Sequence, residues 1–154
     1  MKEVTKTITE ARNVTMYVAD DGTEFRDKRS CQQHEQELLE DGLNNSPDVI
    51  ENTDAEGCAP FDGLDYNGDH SFRWFKPLNI KGVDLLNKVF SFEYEKLDET
   101  VVGKWIYVET DSWDEVWYGF LQDSLDYAEE MKRRFEDFDE EKGNAQIRGS
   151  KMDR

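Results

Sequence analysis

The chain has 154 residues, 36% of them hydrophobic and 12% aromatic, which is enough apolar surface for one domain with a core but not for two full-sized domains. Acidic residues outnumber basic ones by 36 to 19, and the resulting net charge of -17 disfavours direct binding to nucleic acid and favours a cationic partner. No apolar run approaches the roughly 18 residues that a membrane span needs, and the N-terminus lacks a signal-peptide core, so we expect a soluble cytoplasmic protein.

The first 42 residues predict a ββα unit. The stretches 4–10 and 13–19 alternate β-branched residues with other residues and predict a β-hairpin. The run Asp20-Asp21-Gly22 is a strong turn signal, and a short strand is expected after it at residues 23–25.

A helix is predicted from Lys28 to Glu40. Asp27 is its expected N-cap, and Gly42 is expected to end it. Cys31 and Leu38 fall at helical spacing and predict a small core together with aromatic residues of the strands.

Residues 43–70 are rich in Asn, Asp, Gly, Ser and Pro and contain few apolar residues. This composition predicts an acidic loop or linker between two structured parts. Two short apolar pairs, Val49-Ile50 and Pro60-Phe61, are the expected anchors of that linker.

Residues 71–138 predict a βαββα core, in which Asn79 caps the first helix. The strands are expected at 71–79, 104–111 and 115–121, and the helices at 80–90 and 123–138. The whole chain then reads ββα, linker, βαββα, an α+β fold with a small antiparallel sheet and helices on one face.

The closing helix places apolar residues at Leu125, Ala128, Phe135 and Phe138 on one stripe. The segment 139–154 has mixed charge and no periodicity. It is predicted to be a disordered tail.

The stretch from Tyr17 to Leu38 follows the outline of a zinc finger. A Cys2His2 finger reads Tyr-x-Cys-x2-Cys-x3-Phe-x5-Leu-x2-His-x3-His. Aligned on the helix, His34 takes the first histidine position, whereas Leu38 stands at the second, and Ala19 and Gly22 stand at or near the two cysteine positions. With one ligand of four remaining, we expect no bound metal, and Cys31 and His34 are expected to be core residues.

Other chemical motifs are incomplete. Asp65, Asn67 and Asp69 match three ligand positions of an EF-hand loop, but His70 replaces the required glycine and Lys76 the bidentate glutamate. No cofactor is expected. A metal-dependent enzyme centred on Cys31 and His34 stays as an alternative.

The acidic residues are segregated along the chain. Residues 30–72 hold eleven of them and residues 105–131 hold eight, and neither block contains Lys or Arg. These nineteen charges exceed the net charge of -17, so the remainder of the chain is slightly basic. Such blocks are either plain solvated surface or a face that attracts a cationic partner.

The pattern Tyr17-Val18-Ala19-x-Asp21-Gly22-x2-Phe25-x5-Cys31 resembles the opening of small acidic proteins encoded by phages and prophages of Gram-positive bacteria. The resemblance covers about twenty residues and implies a phage source. It also implies an anti-defence role, because small acidic phage proteins often inhibit restriction or CRISPR nucleases, some of them by imitating DNA. It brings no site residues with it.

The leading hypothesis is a non-enzymatic phage inhibitor that mimics DNA and occludes a basic, nucleic-acid-binding surface of a host defence protein such as a CRISPR nuclease. Trp113 and Trp117 are candidate aromatic anchors. An acidic scaffold or adaptor without mimicry is the alternative. The predicted partner-binding residues are Glu35, Glu37, Glu40, Asp41, Asp62, Asp65, Asp69, Glu109, Asp111, Asp114 and Glu115.

Overall fold

The structure is a computed structural model that describes residues 1–5, 9–61 and 69–152, with side chains described as far as residue 143. The chain divides into two compact units, Met1–Gly42 and Leu43–Arg154. The predicted α+β class with a small antiparallel sheet is confirmed.

The first unit contains a two-stranded antiparallel sheet and most of a helix. Its elements are β1 (Tyr17–Val18), β2 (Glu24–Phe25) and α1 (Lys28–Asn44). The predicted hairpin between 4–10 and 13–19 is wrong in its described part, because residues 9–16 form no strand and Tyr17 pairs with Phe25 instead. Residues 6–8 of that hairpin lie outside the described residues. The Asp-Gly turn is a stronger local signal than β-branched alternation alone, because its geometry fixes the pairing on either side.

Helix α1 begins where the sequence predicts it. The carboxylate of Asp27 accepts hydrogen bonds from the backbone N–H and the hydroxyl of Ser30, both at 2.9 Å. The predicted stop at Gly42 is wrong, since the helix continues to Asn44 and buries Leu43. The helix ends at Asn44 instead, shortly before Pro47, because a proline disfavours helical geometry at the residue that precedes it.

The second unit is built on a four-stranded sheet in the order β3-β4-β5-β6, with every neighbouring pair antiparallel. The prediction of a linker at 43–70 is wrong in part, because the edge strand β3 lies within this segment. A turn of 3₁₀ helix follows it at Thr53–Ala55. Of the two predicted anchor pairs, Val49 and Pro60 are buried, whereas Ile50 and Phe61 are exposed. The elements of this unit are β3 (Val49–Glu51), β4 (Ser71–Pro77), α2 (Ile80–Val89), β5 (Ile106–Thr110), β6 (Val116–Phe120) and α3 (Leu121–Met152).

One face of the sheet packs against α2 and forms the main core. Phe75 and Ile106 are opposite each other in the register of β4 and β5, and both are fully buried. Leu86 and Val83 of the helix are also buried. Burying side chains of this size stabilises the fold by about 1.5–3 kcal/mol each.

The other face carries aromatic residues covered by the segment after β3. The indole Nε1–H of Trp74 donates a 2.8 Å hydrogen bond to the carbonyl of Cys58. Tyr107 packs edge-on against Trp74, with ring centroids 5.5 Å apart. Gly119 lies opposite Tyr107, and a Cβ at this position would come within 3.0 Å of the tyrosine ring. Glycine at this position therefore makes room for Tyr107 on this face.

Helix α2 is fixed at its N-terminus by a side-chain network. Asn79 caps the helix by accepting a 3.0 Å hydrogen bond from the N–H of Gly82, and its amide donates to Asp48 at 2.7 Å. Gly82 lies so close to the backbone of Asp48 that a Cβ would come within 3.0 Å of it. The predicted cap at Asn79 is confirmed. The close approach of the two backbone segments explains why residue 82 is a glycine.

Helix α3 is longer than predicted. The expected disordered tail at 139–154 is wrong as far as Met152, because the helix runs on to that residue. Glu130 supports it with ion pairs to Arg133 at 2.5 Å and Arg134 at 3.1 Å. The predicted apolar stripe is largely exposed, including Leu125, Phe135 and Phe138. None of the helices in the described part of the chain is long and apolar enough to cross a bilayer.

Candidate functional site

Several predicted binding residues are brought together at one end of the main sheet. In the register of the three strands, Ser71 at the start of β4 lies opposite Thr110 at the end of β5, which lies opposite Val116 at the start of β6. The residues just beyond these strand ends therefore share one end of the sheet. We call the following set the acidic end: Asp69, Asp111, Trp113, Asp114 and Glu115.

The turn between β5 and β6 is held by one of its own carboxylates. Oδ1 of Asp111 accepts hydrogen bonds from the backbone N–H groups of Trp113 and Glu115, both at 2.9 Å. The N–H of Asp114 also donates to the carbonyl of Asp111 at 3.2 Å, and Asp114 has a φ of 61°. Left-handed backbone is tolerated by Asp better than by most residues, which suits the turn.

The tip of this turn presents a large aromatic side chain to solvent. Trp113 is 83% exposed, although tryptophan is usually among the well-buried residues. Beside the turn, the ring of Tyr94 stacks on Trp117 with centroids 6.4 Å apart, and Tyr94 is 82% exposed. Exposed aromatic rings rimmed by polar groups are typical of surfaces that bind other proteins.

One predicted binding residue does not belong to this surface. Glu109 is 7% exposed, and its Oε1 lies 2.5 Å from Nδ1 of His70. The His70 ring also stacks on Phe72, with centroids 6.5 Å apart. Glu109 therefore serves an internal pair, and the prediction that it binds a partner directly is corrected by its burial.

Two lysines lie at the opposite end of the sheet. Lys76, near the end of β4, lies over the ring of Trp105 at 6.0 Å, and Lys104, just before β5, lies over the ring of Phe120 at 5.4 Å. Lys104 also lines a pocket together with Asp123, so this end of the sheet carries charges of both signs. The sequence alone shows the segregation of charge along the chain, and the strand register shows which acidic residues share one end of the sheet.

The remaining predicted acidic residues belong to other places. Glu37 and Asp41 are exposed on α1, and Glu35 and Glu40 on the same helix are half-buried. These four residues belong to the first unit, whereas the acidic end belongs to the second. Asp62 and Asp65 lie outside the described residues.

In the first unit, the histidine that aligns with a zinc-finger ligand forms a hydrogen bond. Nε2 of His34 lies 2.8 Å from Oδ2 of Asp21, which joins α1 to the turn between β1 and β2. The Asp21 carboxylate can only accept, so the imidazole is the donor. This hydrogen bond is the main reason why the pKa of Asp21 is lowered from its ordinary 3.8 to about 2.

The small core of this unit differs in part from expectation. Cys31 is buried as predicted, and burial together with the negative charge of Glu35 raises the pKa of its thiol. Leu38 is 36% exposed, so its predicted place in the core is wrong, whereas Ala19 is buried. A raised thiol pKa leaves Cys31 a weak nucleophile and a poor metal ligand.

The alternative of a metal enzyme finds no further donors near this pair. Within residues 1–5, 9–61 and 69–152, no three His, Cys, Asp or Glu side chains are grouped so as to hold a metal ion. His34 already donates to Asp21, and Cys31 faces the core. The partial EF-hand match includes Asp65 and Asn67, which lie outside the described residues.

No protein-family model, curated protein sequence or solved structure matches this chain.

Proposed function

We propose that this chain is a non-enzymatic inhibitor that binds a basic, nucleic-acid-binding surface of another protein through its acidic end. The observation that carries the proposal is the exposed Trp113, which lies on a turn that includes Asp111, Asp114 and Glu115 and has no Lys or Arg. The hydrogen bonds of Asp111 hold this turn in one conformation, so little conformational entropy is lost when a partner binds.

The charge of the acidic end suits a groove that normally binds DNA. Such grooves are lined with Lys and Arg and gain affinity by releasing counterions from the phosphates. Carboxylates spaced along a rigid protein surface offer the same cations an alternative partner. Trp113 would supply the buried anchor that charge alone cannot, because aromatic residues dominate the binding energy of most interfaces.

The source and target follow from the resemblance at Tyr17–Cys31. A phage-encoded protein acting in the cytoplasm of its bacterial host would meet defence nucleases, including CRISPR nucleases, whose grooves bind nucleic acid. DNA mimicry at such a groove is the mechanism that we propose.

The test begins with proteins captured from the lysate of a Gram-positive host. We expect the captured partner to be displaced by duplex DNA, and its affinity for the chain to fall steeply between about 50 and 200 mM salt. We expect Trp113→Ala to weaken binding about 30-fold, which corresponds to the roughly 2 kcal/mol of a central aromatic anchor. Neutralising Asp114 and Glu115 together (D114N/E115Q) should weaken it further.

A matched control separates a local effect from a change in net charge. The double variant D84N/E129Q alters two exposed carboxylates on α2 and α3 and should bind as the unmodified chain does. If D114N/E115Q and D84N/E129Q weaken binding equally, the acidic end is not the site. If DNA and the chain bind the partner simultaneously, mimicry is wrong and the scaffold alternative is favoured.

A further inference from the structure

The outer edge of β6 is only partly paired within the described part of the chain. β6 pairs with β5 on one side, and the other side is bridged only at its first residue within the described part of the chain. There Phe92 forms a parallel bridge with Val116, and the N–H of Glu93 donates to the carbonyl of Val116 at 2.9 Å. The bridge shows that this edge accepts an extended segment.

The strand register tells which backbone groups face outward. In an antiparallel ladder, alternate residues direct both their N–H and their C=O toward the same neighbour. The carbonyl of Glu115 accepts from Asp111 on the β5 side, whereas the carbonyl of Val116 accepts from Glu93 on the outer side. Tyr118, two residues after Val116, therefore directs its N–H and C=O outward. No backbone hydrogen bond from another described segment reaches them.

A groove of about 320 Å³ runs along this edge. Its lining includes Tyr94, which stacks on Trp117, and Tyr118, which packs edge-on against Phe92 with ring centroids 5.6 Å apart. The backbone of Tyr118 and the apolar walls thus offer hydrogen bonds and burial together. These are the two requirements for adding a strand to a sheet.

The groove is acidic. Glu95 and Asp123 are exposed and line it, and no Lys or Arg does so among the described residues. Burial raises the pKa of the Tyr118 hydroxyl, and the nearby negative charges of Glu95 and Asp98 raise it further. Lys104 lies over the ring of Phe120 and marks the end of the groove where β6 runs into α3.

Beyond the segment that bridges Val116, the described edge has little further protection against pairing. Proteins block exposed edges with Lys, Pro or bulges, or by keeping the strand short. The five residues of Val116–Phe120 include no Lys, Arg or Pro, whereas the other edge strand, Val49–Glu51, has only three residues. The part of the edge at Tyr118, which lies beside an acidic groove, therefore suits a cationic strand.

We propose that the edge of β6 binds an extended, cationic segment of a partner protein as an added strand. Backbone groups of that segment pair with Tyr118, and its Lys or Arg side chains, at alternate positions, approach Glu95 and Asp123. The inference goes beyond the acidic end, because it assigns a different surface and a different mode of binding. It does not require that the partner bind nucleic acid.

The test uses the full chain and four blocked eight-residue peptides, of which two are the N-methylated forms of the first. One alternates Arg with Val, the second has Glu in place of Arg, and the other two are the Arg peptide N-methylated at alternate residues, one in each register. We expect the Arg peptide to bind and to slow amide exchange of Tyr118 at least tenfold, while Trp117, already paired with β5, changes little. The Glu peptide should not bind, and one N-methylated register should bind at least tenfold more weakly because it cannot donate to the edge.

Protein variants test the charge part of the proposal. E95Q/D123N should weaken the Arg peptide about three- to tenfold through the loss of two partly screened ion pairs, whereas D84N/E129Q should leave its affinity unchanged. Both variants keep side-chain volume, and circular dichroism checks that they fold.

Three outcomes would overturn the proposal. The first is no binding of the Arg peptide at about 1 mM, the weakest affinity of interest. The second is equal binding of the Arg peptide and both N-methylated forms. The third is protection of the Tyr118 amide that rises with protein concentration without peptide, because the edge would then be covered by a second copy of the chain.

Discussion

At residue 34, the histidine that a zinc finger would use as a ligand donates a hydrogen bond to a carboxylate instead. In a zinc finger the metal connects the strand turn to the helix, and without it such a unit does not fold. In this chain the 2.8 Å contact between His34 and Asp21 makes the same connection. Phe25 packs beside it, with its ring 5.1 Å from the imidazole. A polar pair and an aromatic contact thus occupy the position of the metal.

This pair makes a prediction about titration. The pKa of Asp21, about 2, should rise toward 3.8 in His34→Ala, because the hydrogen bond from His34 is the largest cause of its lowering. It should stay somewhat below 3.8, since the N–H of Thr23 still donates to the carboxylate at 3.0 Å. NMR titration of the side-chain carboxyl carbons measures both values.

The internal reference for this titration is Asp27. Its pKa is also lowered, mainly by hydrogen bonds from Ser30, and should not move in His34→Ala. Because the folded pKa of Asp21 is the lower one, its stabilisation is complete above pH 3.8 and is lost as the pH falls through about 2. An unchanged Asp21 titration in the variant would contradict the role given to His34.

At the scale of elements, Gly42 of α1 and Gly82 of α2 differ in what surrounds them. Gly42 lies inside α1 with nothing within 4 Å of a would-be Cβ, whereas Gly82 in α2 faces the backbone of Asp48 at contact distance. Glycine costs a helix about 1 kcal/mol relative to alanine when nothing else intervenes. Whether a change to alanine removes this cost depends on the space around the glycine.

The same substitution should therefore have opposite effects at the two sites. We expect Gly42→Ala to stabilise its helix by about 1 kcal/mol, through helix propensity alone. Gly82→Ala should destabilise the second unit by about 1–3 kcal/mol, because α2 must move away from β3. Urea unfolding followed by circular dichroism and tryptophan fluorescence measures both, and stabilisation by Gly82→Ala would refute the close approach.

At the scale of the whole molecule, the net charge of -17 acts against the compact state. Raising NaCl from about 0.01 M to 0.5 M shortens the Debye length from roughly 30 Å to a few ångströms and screens this repulsion. We expect Tm to rise by several degrees over that range. A Tm that stays flat or falls would mean that ion pairs such as Arg73 with Glu51, at 2.8 Å, outweigh the repulsion.

The features that depend only on residues close together in the chain could be predicted from the sequence. Asn79 caps α2 and Asp27 caps α1 as predicted, because a cap needs only residues within one turn. Alternating aromatic residues predicted β4, and the residue counts fixed the net charge. The turn between β1 and β2 also followed from its own Asp-Gly run.

The tertiary structure decided what depends on residues far apart in the chain. β3 has three residues in an Asn- and Asp-rich segment and is a strand only because β4 pairs with it. Glu109 is internal because His70, 39 residues earlier, meets it across the sheet. The strand register likewise gathers the acidic end and directs Tyr118 to an open edge. Local sequence does not contain these partners, since the hydrogen bonds and burial that select them form only when distant segments pack.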